Sequence, residues 1–116
     1  RMSVVLESDN NVLKWINPPL NQMGIFYAAG LQYNPDFLVE TNDAKYMIEV
    51  KSEKDLEDKT VLLKKEEGEL WCKYATKVDV DNKPWHYRLI SEKYINICDG
   101  FASIVGLAHK PADLED

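Results

Sequence analysis

Asp36, Glu49 and Lys51 stand in the strings Asn34-Pro35-Asp36-Phe37 and Ile48-Glu49-Val50-Lys51, two carboxylates and one ammonium in a short stretch of chain. Two carboxylates held close together repel unless a cation lies between them. Hard oxygen ligands with room for water suit Mg2+ or Mn2+, and the backbone carbonyl of Val50 offers a further oxygen. A divalent ion there would activate a water beside the Lys51 ammonium and stabilise charge developing on a phosphate oxygen. That is the chemistry of phosphodiester hydrolysis. Asp and Glu make up 20 of the 116 residues, so the bare pattern means little unless the fold brings the three side chains together.

The elements around them predict that it does. Phe37-Leu38-Val39-Glu40 and Lys45 to Val50 are strand-type runs joined by Thr41-Asn42-Asp43-Ala44. Asn and Asp tolerate turn backbone angles, so Asn42-Asp43 is the expected hairpin tip. Residue i then faces residue 85 − i, and Asp36 lies across from Glu49 with Cβ atoms ~5 Å apart. Lys51, two residues further on, projects from the same face. Glu40 and Asp43 fall at the far end of the hairpin, away from the site.

The remaining elements follow from periodicity. Met2 to Ser8 reads as the end of a helix stopped by Asp9-Asn10-Asn11; Val12–Ile16 and Ile25–Ala29 read as strands, the latter closed by Gly30. From Glu57 to Val78 the spacing is helical. Leu56, Thr60, Leu63, Leu70, Tyr74 and Val78 share one face, and Gly68 offers a point for a kink. Trp85–Ile90 alternates as a strand, and a last helix runs through Phe101 to Ala108. The expected fold class is α/β (α+β): a mixed β-sheet of four to five strands flanked by helices, in the order α-β-β-β-β-α-β-α.

Composition sets the outer limits. A chain of 116 residues with 45% hydrophobic content suits one packed domain spanning residues 1–116. No apolar run approaches the ~20 residues of a membrane span, and the opening Arg1-Met2-Ser3-Val4-Val5-Leu6-Glu7 does not read as a secretory signal. Cys72 and Cys98 have no disulfide or metal spacing, which excludes a zinc finger and suggests a cytoplasmic setting. The net charge of −6 is unlike that of a protein holding DNA by its own field. The start with Arg before Met suggests a piece of a longer polypeptide. His86, His109, Trp71 and the run Lys64-Lys65-Glu66-Glu67 read as packing or solvated surface, the run held by i to i+3 pairs.

Pro35-Asp36 followed by Glu49-Val50-Lys51 resembles the motif of the PD-(D/E)xK nuclease superfamily. A wider likeness covers Val12 to Pro19, Tyr33 to Phe37, Ile48 to Ser52 and Trp85 to Tyr87. It resembles the C-terminal endonuclease domain of the type III restriction enzyme restriction subunit, in which a helicase motor is joined to such a nuclease. The resemblance implies a restriction-endonuclease-like core and Mg2+-dependent cleavage of double-stranded DNA. It makes Asp36 and Glu49 metal ligands and Lys51 the catalytic lysine. It also implies substrate delivery by a helicase motor in the same chain and by a separate modification subunit, with no membrane involved. Some superfamily members add an acidic ligand from the first helix, for which Glu7 is the candidate, with a solvated helix-end charge as its other reading. Some carry Gln-x-x-x-Tyr on the helix after the lysine; Leu70-Trp71-Cys72-Lys73-Tyr74 has the Tyr without the Gln. The competing functions are a non-catalytic docking domain and a small resolvase or repair nuclease.

Overall fold

A computed structural model describes residues 1–97 and 100–109. The order is α1 (Met2–Ser8), β1 (Val12–Ile16), β2 (Ile25–Ala28), β3 (Leu31–Tyr33), β4 (Phe37–Thr41), β5 (Lys45–Lys51), a 3-10 turn (Glu53–Asp55), α2 (Lys59–Val78), β6 (Trp85–Ser91), α3 (Glu92–Ile97) and α4 (Phe101–Gly106). Strands β1, β4, β5 and β6 form one mixed sheet in that spatial order, and β2 and β3 form a separate two-stranded sheet. β4 and β5 are an antiparallel hairpin, while β5 and β6 are parallel and joined through α2. A parallel pair needs such a crossover, because no short turn can return the chain to the same end.

Alternation along the strands sorts the core into two layers. Val39, Ile48 and Ile90 point to one face, with Phe37, Tyr46 and Val50 beside them, and pack on Met2 and Leu6 of α1, Ile95 of α3, and Phe101 and Ile104 of α4. Leu38, Met47, Tyr87 and Leu89 point to the other face, against Val61 and Cys72 of α2 and Ile25 and Tyr33 of the β2–β3 hairpin. Glu49 lies between Ile48 and Val50 and so belongs to this second layer.

The architecture is the mixed, helix-flanked sheet expected, with three differences. β3 is an added strand: Gly30 adopts φ +74 and turns the chain back onto β2 instead of ending it. The expected C-terminal helix is α4, and a separate helix, α3, precedes it directly after β6. The buried face of α2 is also not the one its large apolar residues mark. Val61, Gly68, Cys72 and Ala75 face the sheet, whereas Leu63, Leu70, Tyr74 and Val78 are 41% to 68% exposed.

Gly68 explains the choice of face. A Cβ built there would lie 2.5 Å from Cε1 of Tyr87, so only a residue without one lets α2 sit this close to the sheet. The helix runs unbroken through it from an N-cap in which the Asp58 carboxylate accepts from the Val61 N–H at 3.4 Å. The lysines of this helix are not simply solvated: Lys65, its side chain only 12% exposed, pairs with Glu69, four residues on rather than three, and the Lys64 ammonium lies over the Tyr27 ring of β2. Trp71 packs edge-on against Trp85, and His86 lies beside Tyr46, where burial pushes its pKa down. Cys72 is buried, which pushes its thiol up to about 12. Cys98 and residues 110–116 lie outside the described residues. Among the described residues no helix is long and apolar enough to cross a membrane.

Candidate active site

The β4–β5 hairpin pairs Phe37 with Ile48, Leu38 with Met47, Val39 with Tyr46 and Glu40 with Lys45, the expected register. The ladder runs one step further, since the Asp36 N–H donates to the Ile48 carbonyl at 3.1 Å. Asp36 and Glu49 are thus brought together on the α2 side of the sheet, and Lys51 follows on the same face. The end of the hairpin is pinned by the proline-rich segment after β1. Asn17 Nδ2 donates to the Asp36 carbonyl at 2.9 Å, and Asn34 Nδ2 donates to the Pro18 carbonyl at 3.1 Å. Two amide side chains each reaching the other loop's backbone explain why Asn17-Pro18-Pro19 leaves the sheet where it does.

Each carboxylate is oriented by a bond to one of its oxygens. Asp36 Oδ2 accepts from the Val50 N–H at 2.9 Å. Glu49 Oε1 accepts from the Tyr33 hydroxyl at 2.7 Å, and its other oxygen, Oε2, is 3.6 Å from Lys51 Nζ. Glu49 is only 5% exposed. Burial, reinforced by the negative charge of Asp36, pushes its pKa up to about 7, against the opposing pull of the Tyr33 hydroxyl and Lys51. A second phenol backs the first, with the Tyr33 and Tyr87 hydroxyl oxygens 2.9 Å apart. Burial pushes both phenols well above their ordinary range.

Tyr33 and Tyr87 are the site residues that sequence reasoning missed. Tyr33 stands in the Tyr33-Asn34-Pro35-Asp36 run, but its reach to Glu49 depends on the β2–β3 hairpin, which periodicity did not reveal. Tyr87 reads in sequence as one more apolar strand residue.

Glu7 is not brought to this pair. Its Oε1 accepts from the Trp15 indole at 2.9 Å, and among the described residues no three His, Cys, Asp or Glu side chains gather as they would around a metal ion. Among the described residues, Asp36 and Glu49 are the carboxylates brought together at this point. Val50 turns its side chain to the opposite layer and gives its N–H to Asp36. The donor set still fits a divalent cation. Two carboxylates share one end of a hairpin, one of them almost fully buried, and their mutual repulsion is what a cation would relieve.

A family model described as "TnsA-like endonuclease N terminal" matches residues 9–92. That span takes in β1 through β6, and with them Tyr33, Asp36, Glu49, Lys51 and Tyr87. No curated protein and no solved structure matches the chain. The match is to this family and not to the type III restriction subunit, so the helicase motor and modification subunit rest on the motif likeness alone.

Proposed function

The chain belongs to the TnsA-like N-terminal endonuclease family, a PD-(D/E)xK-like nuclease family, and from that premise we propose that it hydrolyses DNA phosphodiester bonds with a divalent cation held by Asp36 and Glu49. The observation that carries the reading is the hairpin register, which puts two carboxylates and the Lys51 ammonium on one face at one sheet end. Asp36 and Glu49 would hold Mg2+, or Mn2+ in its place, with the Val50 carbonyl as a further backbone donor. When bound, the ion supplies Lewis-acid stabilisation of charge on the phosphate. Lys51 stands at the open end of the site, beside Glu49. Its ammonium, about a third exposed, orients the attacking water and offsets charge on the phosphate oxygens. Tyr33 keeps Glu49 fixed while this happens. DNA as the substrate suits the cytoplasmic setting expected from the sequence.

The test is nicking of supercoiled plasmid by the 116-residue chain at low ionic strength, with Mg2+ or Mn2+ and with EDTA. Cleavage should require the cation and fall at least ~100-fold in Lys51→Ala, the scale of losing one transition-state donor. A Lys51→Ala protein that nicks at the normal rate would refute the role.

A second reading concerns the setting. The net charge of −6 favours a nuclease whose DNA is delivered by other components. The likeness to the type III restriction subunit would make those a helicase motor in the same polypeptide and a modification subunit. The reading requires that cleavage by a longer parent chain depend on ATP hydrolysis, and ATP-independent cleavage would exclude it.

A further inference from the structure

The buried phenol pair does more than fill space beside Glu49. Tyr33 has one hydroxyl proton. With Glu49 ionised and able only to accept, that proton goes to Oε1 across 2.7 Å, and Tyr87 must then donate to Tyr33 across 2.9 Å. The result is a one-way chain, Tyr87 to Tyr33 to Glu49, of three side chains at most 6% exposed. Gly68 holds Tyr87 in place from behind, because α2 presses on its ring there. On the other carboxylate, Asp36 Oδ2 is held by the Val50 N–H. Each carboxylate therefore has one oxygen engaged by a fixed protein donor, and the second oxygen of Glu49 faces the Lys51 ammonium at 3.6 Å.

We infer that Tyr33, backed by Tyr87, is a positioning residue that biases Glu49 towards single-oxygen ligation, as the Val50 amide biases Asp36, so that the pair favours Mg2+ or Mn2+ over Ca2+. The inference rests on the metal-binding reading above. Ca2+ takes roughly six to eight oxygens and commonly grips a carboxylate through both, whereas Mg2+ accepts one oxygen from each of one or two carboxylates and keeps its waters. A bidentate grip would make Glu49 Oε1 share its lone pairs between the cation and the Tyr33 hydroxyl, weakening a bond between two buried groups. Donors behind a ligand commonly govern metal affinity in this way.

Calorimetric titration of MnCl2 and of CaCl2 into the metal-free chain tests this, with Tyr33→Phe, Tyr87→Phe and Asp36→Ala in parallel and urea unfolding as the check on folding. The wild type should bind Mn2+ more tightly than Ca2+. Tyr33→Phe should narrow that preference about tenfold, the lower end of the effect of removing a donor behind a metal ligand. Tyr87→Phe should narrow it in the same direction by less. A folded Tyr33→Phe protein that keeps the wild-type ratio, while Asp36→Ala loses Mn2+ binding, overturns the positioning role and leaves the metal site standing. If Tyr33→Phe does not fold, an unchanged ratio in Tyr87→Phe overturns it. Wild-type protein that binds neither ion overturns both readings together.

Discussion

At the residue scale, Glu49 stands apart because burial and the Asp36 charge work against its ionised form. Its folded-state pKa, about 7, lies above its ordinary value of 4.5, so the folded protein binds the proton more tightly than the unfolded chain does. The contribution of Glu49 to stability is therefore full below about pH 4.5 and is lost as pH rises through about 7. In EDTA the loss should total about 3 kcal/mol, at ~1.4 kcal/mol per pH unit. Urea unfolding at pH 5 and pH 8 measures it, and Glu49→Gln should remove most of the difference. An equal difference in that variant would assign the effect to other groups. Addition of Mn2+ should restore stability at pH 8, since binding to the folded state alone is stabilising. The Asp36–Glu49–Lys51 set was legible in the sequence because its geometry depends on one tight hairpin and a period of two. Tyr33 was not, because its bond to Glu49 spans sixteen positions and two sheets. Glu7 allowed two readings, an added ligand or a solvated helix-end charge, because the Trp15 indole that takes up its carboxylate comes from the next strand.

At the element scale, α2 shows where periodicity stops. The helix carries two stripes, one of large apolar residues and one of small ones, and the hydrophobic pattern favours the large. The sheet beneath already presents Met47, Tyr87 and Leu89, so the space left for the helix is thin, and Gly68, Cys72 and Ala75 fit it. Complementarity of size decides the face, and that is a property of two elements that neither sequence stretch reveals by itself. Gly68→Ala gives a sharp test. An exposed helix interior would gain ~1 kcal/mol from the change. Here the new methyl meets the Tyr87 ring, so a net loss of about 1–3 kcal/mol is expected. Thermal or urea unfolding reads the sign, and a stabilised variant would show that α2 stands off from the sheet.

At the scale of the whole molecule, charge governs how DNA is met. Acidic residues outnumber basic ones by six, and a bound divalent ion would offset two of those charges. Beside the site, Lys51, Lys54 and Lys59 are interleaved with Glu53, Asp55, Glu57 and Asp58. Glu53 is paired with Lys93, which softens the acidic field without reversing it. Nonspecific affinity for DNA rests almost wholly on phosphate neutralisation. The chain at micromolar concentration and ~0.15 M salt should therefore show little change in fluorescence anisotropy with labelled duplex. Tight, salt-sensitive binding would contradict this.

The hairpin has a further consequence, for the order in which the protein assembles. Asp36 and Glu49 are joined by a loop of three residues between strands, whereas Tyr87 arrives only after the chain has passed through α2 and closed a long parallel crossover. A β-hairpin forms in roughly 1–10 μs, whereas long-range parallel pairing is slow. The two carboxylates therefore meet early, in water, and Glu49 loses its hydration late, when α2 and β6 dock. An interaction formed after the folding barrier acts on the rate of escape from the native state and hardly on the rate of reaching it. Raising the pH from 5 to 8 without metal should accordingly accelerate unfolding in a stopped-flow urea jump while leaving the refolding rate nearly constant.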